Sequence, residues 1–133
     1  MYQVFLFISK IYTFLIKNNF QSFGKNSIIK PLLNFSEGQF ISIGNNVNIG
    51  NSCRITVSTG FGKLKTKSET KTKIKIGNHV DIGNDTFISA NNNIQIGNHV
   101  IMAPLVFISD HDHGFKDISK NLHQQPLTEG GFV

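Results

Sequence analysis

Two histidines and two aspartates fill four consecutive positions, Asp110-His111-Asp112-His113, within the string ISDHDHG at residues 108–114. Residues of these types do two kinds of chemistry. An imidazole with an ordinary pKa near ~6.5 accepts a proton at neutral pH, and a neighbouring carboxylate can fix its tautomer. The same four side chains are also metal ligands, with His123 as a further donor. A polar loop with no chemistry is the third reading. In an extended segment His111 and His113 fall on one side and Asp110 and Asp112 on the other. Metal sites need ligands converging from more than one element, which four consecutive residues rarely achieve. Proton transfer is therefore the stronger reading, and no metal is expected.

The elements that must position this string show in a repeat of six. Ile43-Gly44, Ile49-Gly50 and Ile55 keep that step, as do Ile76-Gly77, Ile82-Gly83, Ile88-Ser89 and Ile94. After a slip of two residues, Ile96-Gly97, Met102-Ala103 and Ile108-Ser109 resume it. Six residues complete neither whole turns of a helix nor a pattern that a flat strand would need. A solenoid accounts for it: each unit is a short strand and a corner, three units close one coil, and coils stack at about 4.8 Å as parallel strands. The aliphatic residue faces the core, the small residue lets the wall pass closely, and Asn or Gly turns the corner. Fifteen asparagines and twelve glycines supply such corners. The coils lay out roughly as 43–60, 76–93 and 96–113. His79 and His99, each in the string IGNHV, should lie one above the other as wall or corner residues.

Ahead of the repeat, Val4, Phe7, Ile8, Ile11 and Leu15 recur at helical spacing and predict a helix over residues 2–18. The segment lacks the basic start and cleavage site of a secretory signal, and it is short and interrupted for a membrane span. It is expected to pack on the fold; lying on a membrane surface is the alternative. The chain thus divides into an N-terminal helix, 1–20, and an all-β solenoid domain, 21–133, with a lysine-rich loop at 60–73.

Lysine supplies twelve of the thirteen basic residues behind the net charge of +5. Nucleic-acid binding would call for arginine and interleaved aromatics, so no nucleic-acid partner is expected. Five of the lysines lie in the 60–73 loop, which reads as a solvated excursion or as a flap over an anionic ligand. Cys53 stands alone, which allows no internal disulfide, fits a cytoplasmic location and reads as buried wall.

The strings IGNNVNIG, IGNHVDIG and IGNHVIMAP leading into SDHDHG resemble the hexapeptide-repeat acyltransferases, among them the sugar and polysaccharide O-acetyltransferases related to maltose and galactoside acetyltransferases. The resemblance covers residues 41–133. It implies a left-handed parallel β-helix, although parallel crossovers are generally right-handed. It also implies a homotrimer with acetyl-coenzyme A, the donor substrate, in the cleft between neighbouring β-helices. Matching VFIS, 106–109, to the family's last strand before its histidine puts His113 at the catalytic position as general base. Asp110 is then the candidate to orient it, with His111, Asn91, Asn92 and Asn93 as candidates for binding the acceptor. The residues that bind the cofactor are not assigned.

In that family a stretch like QQPLTEGGFV, 124–133, leads into further coils. The sequence stops at Val133, so the expected C-terminal coils are missing and the reading is of a shortened acetyltransferase. The expected activity is acetyl transfer from acetyl-coenzyme A to a hydroxyl of a sugar in a cell-surface polysaccharide or its precursor. The alternatives are N-acetylation of an amino sugar, or a β-solenoid that serves as a scaffold without catalysis.

Overall fold

The computed structural model describes residues 1–58, 71–125 and 127–129. Most of the lysine-rich loop expected at 60–73 lies outside the described residues. A helix α1 (Tyr2–Ile16) ends in a single 3₁₀ turn (Lys17–Asn19). Among the described residues, twelve short strands then wind four coils. The first holds β1 (Ser22–Phe23), β2 (Ile28–Ile29) and β3 (Asn34–Ser36), and the second β4 (Ile41–Ile43), β5 (Asn48–Ile49) and β6 (Arg54–Val57). The third holds β7 (Ile74–Ile76), β8 (Asp81–Ile82) and β9 (Phe87–Ala90), and the fourth β10 (Ile94–Ile96), β11 (Ile101–Met102) and β12 (Phe107–Ser109). Strands three apart in this order stack in parallel, so the coils build three flat faces: β1-β4-β7-β10, β2-β5-β8-β11 and β3-β6-β9-β12. The fold is a left-handed parallel β-helix with one N-terminal helix.

The register shows why a period of six suffices. Ile43 sits against Ile76, Ile49 against Ile82, and Ile55 against Ile88, and each of these side chains is almost wholly buried. Burying one such chain is worth about 1.5–3 kcal/mol, so the aliphatic column on each face carries the core. Corners lie between the columns. Asn26, Asn46, His79 and His99 all have a left-handed backbone at the first corner, and Leu32, Ser52, Asp85 and Leu105 have it at the second. Asn and His tolerate this region better than most residues. The rings of His79 and His99 stack with centroids 4.9 Å apart, so both are corner residues.

Asparagine has a further task at the first corner. Asn45 Oδ1 accepts from the Lys25 N–H at 2.7 Å, Asn78 Oδ1 from the Asn45 N–H at 2.8 Å, and Asn98 Oδ1 from the Asn78 N–H at 2.8 Å. This ladder pairs backbone donors that point along the axis, where strand pairing cannot reach them.

The repeat starts one coil earlier than its aliphatic-glycine signature. Phe23 and Phe35 pair with Ile43 and Ile55, so phenylalanine stands in the first coil where later coils use isoleucine. Phe20 packs on both rings, at 6.0 and 4.8 Å between centroids. This coil closes one end of the core, and wide rings fill the space that a preceding coil would occupy.

A solenoid end leaves strand edges unpaired. Here α1 covers the edge of the second face with polar side chains. Thr13 Oγ1 accepts the Ile29 N–H at 2.8 Å and lies 3.1 Å from the Ile29 carbonyl, while Tyr12 Oη donates to the Leu33 carbonyl at 3.3 Å. Ser9 and Thr13 are the buried residues of the helix.

Candidate functional site

The third corner is where the chain departs from regular coils. The turn Asn91–Asn93 passes from face three to face one there. After β12 the chain reaches this corner again, but it does not turn into another strand of face one. It leaves as β13 (His111–His113), which pairs antiparallel with β14 (Leu127–Glu129). The strand sets His111 opposite Glu129 and His113 opposite Leu127.

Asp110 makes this exit. Its Oδ1 accepts the Asn91 N–H at 2.7 Å, and its Oδ2 accepts those of Asn92 and Asn93 at 2.9 and 2.7 Å. The same Oδ1 lies 3.1 Å from His111 Nδ1. Burial raises the cost of this charge, but the donors from Asn91, His111, Asn92 and Asn93 outweigh it and hold the carboxyl below its ordinary range. An ionised Asp110 therefore does two things: it closes the turn below, and it orients the imidazole beside it. Ser109 adds a second restraint, with Oγ 2.8 Å from the His111 carbonyl and 3.4 Å from His111 Nδ1. A proton on Nδ1 that points to Asp110 leaves Nε2 of His111 as the basic nitrogen.

The side chains of Asp110 and His111 are only 17% and 14% exposed, whereas His113 is open to solvent. Asp112 accepts the backbone N–H of His113 at 2.8 Å. The structure thus brings Asp110, His111 and the turn 91–93 into one cluster, and it sets His113 next to that cluster on β13. Asn91, Asn92 and Asn93 enter it through their backbone amides. The sequence carried no signal for that arrangement, because every residue type except proline offers the same backbone N–H.

Lys73 extends the cluster, with Nζ 2.8 Å from the Asn91 carbonyl. It ends the lysine-rich segment, so one cation of that run is held at the 91–93 turn. Cys53 is fully buried, its Sγ 3.2 Å from the Gly83 carbonyl, and burial pushes its thiol up, away from nucleophilic reach. His123 lies in a 3₁₀ turn, Leu122–Gln124. Among the described residues no three His, Cys, Asp or Glu side chains are grouped as metal ligands. A cavity of about 500 Å³ lies between α1 and the second face, lined by residues such as Phe5, Leu6, Ile28 and Asn48. None of the histidine strand lines it.

No protein-family model matches the sequence, and neither does any curated protein. A solved structure that matches is AntD, an N-acyltransferase from Bacillus cereus in complex with dTDP and 3-hydroxybutyryl-CoA. The two chains are 18% identical, with a TM-score of 0.31 over 73% of this chain and 80% of AntD.

Proposed function

We propose that this chain is an acyl-coenzyme A-dependent acyltransferase, and that it moves an acetyl group to a hydroxyl of a sugar in a cell-surface polysaccharide or its precursor. The observation that carries the reading is the Asp110–His111–His113 arrangement, in which a coil stack ends in a strand bearing two imidazoles, one of them oriented by a carboxylate. The acceptor oxygen attacks the thioester carbonyl while an imidazole removes its proton. The tetrahedral intermediate then expels the coenzyme A thiolate, and the imidazolium returns the proton to that sulfur. A base with a pKa near neutrality contributes about 10²–10⁴-fold to such a step.

His113 is the base in this reading: it is exposed to an incoming acceptor, and it stands where the hexapeptide-repeat resemblance expects the catalytic histidine. Asp110 holds the turn and His111, and His111 with the 91–93 turn lines the acceptor side. The cleft that takes the donor forms between copies in a cytoplasmic homotrimer. The Asp110–His111 contact favours a second assignment, in which His111 Nε2 is the base and His113 binds acceptor.

The test is thiol release from acetyl-coenzyme A with a panel of sugars and amino sugars. His113→Ala should lower kcat by about 10²–10⁴-fold, while His111→Ala mainly raises KM. The reverse pattern moves the base to His111. Faster turnover with amino sugars than with hydroxyl acceptors makes the enzyme an N-acyltransferase. If calorimetry finds no binding of acetyl-coenzyme A to the intact chain, the scaffold reading replaces catalysis.

A further inference from the structure

Helix α1 carries apolar side chains on two sides, and only one of them meets the fold. Its fully buried residues are Ser9 and Thr13: Thr13 bonds the edge of the first coil, Ser9 donates to the Phe5 carbonyl within the helix, and Tyr12 and Ile16 pack beside them on the core. A second, continuous apolar face is left outward. Val4, Phe7, Ile8, Ile11, Phe14 and Leu15 recur at helical spacing as one stripe, and all are exposed, with Phe7, Phe14 and Leu15 at 64%, 67% and 69%. A helix that merely covered a solenoid end would turn such a stripe inward.

Charge identifies what the stripe meets. Residues 1–36 contain Lys10, Lys17, Lys25 and Lys30 and no aspartate or glutamate. Lys10 and Lys17 flank the stripe on one side of the helix, and Lys17 Nζ lies 4.9 Å from the centre of the Phe14 ring. Long lysine stems beside a large apolar face suit a boundary between hydrocarbon and anionic headgroups. A second copy of the same helix would bring like charges together along the contact. No helix among the described residues is long and apolar enough to cross a membrane.

We propose that α1 lies in the plane of an anionic lipid surface and docks the β-helix on it through the outward apolar stripe, with Lys10 and Lys17 at the headgroups. The inference is independent of the acyl-transfer reading, since none of its residues belongs to the third corner.

Vesicle flotation of the full chain tests it, using phosphatidylcholine with and without phosphatidylglycerol. The chain should float with the anionic vesicles, and added salt should weaken the binding. Two lysines near an anionic surface account for about 30-fold in affinity, so Lys10→Gln with Lys17→Gln should lose roughly that factor. Phe7→Gln with Phe14→Gln should abolish flotation. Both of those side chains point outward, so an unchanged melting temperature shows that the fold is intact. A chain that stays in solution with every vesicle overturns the proposal. So does a chain whose mass by light scattering falls to monomer in the phenylalanine variant while the parent never floats, because the stripe is then an interface between copies.

Discussion

Glycine stacking offers the sharpest test of the coil geometry. A methyl group added at Gly44 would sit 2.4 Å from the Gly77 carbonyl oxygen and 2.7 Å from its carbon, where ordinary contact begins at 3.4 Å. The shortfall is about 1 Å against backbone, which has no rotamer to escape into. Coils two and three must part at that corner, straining the Gly44 N–H bond to the Ile76 carbonyl (2.9 Å) and the Asn45 N–H bond to Asn78 Oδ1 (2.8 Å). Overpacking costs about 1–3 kcal/mol and a weakened hydrogen bond about 1 kcal/mol more, so Gly44→Ala should lose about 2–4 kcal/mol. For a chain of this size that lowers Tm by roughly 6–20 °C. Gly97 occupies the same place in the fourth coil, and a methyl group there meets nothing within 4 Å. Gly97→Ala should leave stability unchanged or raise it by up to about 1 kcal/mol through the unfolded state. Neither glycine has a positive φ, so backbone strain does not separate the two. Urea unfolding followed by circular dichroism measures both. Equal losses in the two variants would refute close stacking as the reason for glycine at this position.

Asp110→Asn should cost about 1.5–3 kcal/mol, since a carboxylate that accepts three backbone N–H groups becomes an amide with one acceptor. Because the folded Asp110 carboxyl titrates below its ordinary 3.8, its contribution is full above that value and is lost as the pH falls through the lower folded value. The urea midpoints of parent and variant should therefore converge only in acid. Thr13→Val should cost about 1–3 kcal/mol by orphaning the buried Ile29 N–H, and faster amide exchange at Ile29 would report it. Thr86 is buried with a hydroxyl that meets no partner among the described residues, so Thr86→Val should be neutral or should stabilise by up to about 1 kcal/mol in a thermal melt. Ile82→Ala, in the middle of the second column, should cost about 2–5 kcal/mol.

Which parts of this could be read in advance follows from what each depends on. Ile43, Ile49 and Ile55 announced their columns because a coil must return an apolar side chain to the core at a fixed step, whatever lies around it. Glycine after isoleucine, and asparagine after glycine, mark corners for the same local reason. The first coil was hidden because Phe23, Ile29 and Phe35 keep the step of six but not the aliphatic-glycine signature, and only the end of a stack has room for such rings. At the candidate site the sequence singled out Asp110, His111 and His113 by residue type. It did not say that Asp110 would bind the turn at 91–93 and His111, because those partners meet only when one coil lies on another.

The sequence by itself determined the repeat, its register and the clustering of acid and imidazole after the last strand of the fourth coil, because these depend on spacing along one chain. The tertiary structure decided the rest: which carboxylate holds which ring, and which side of α1 turns away from the coils. Both depend on groups far apart in sequence, and in α1 the unpaired edge of β2 drew in Thr13 and turned the apolar stripe outward.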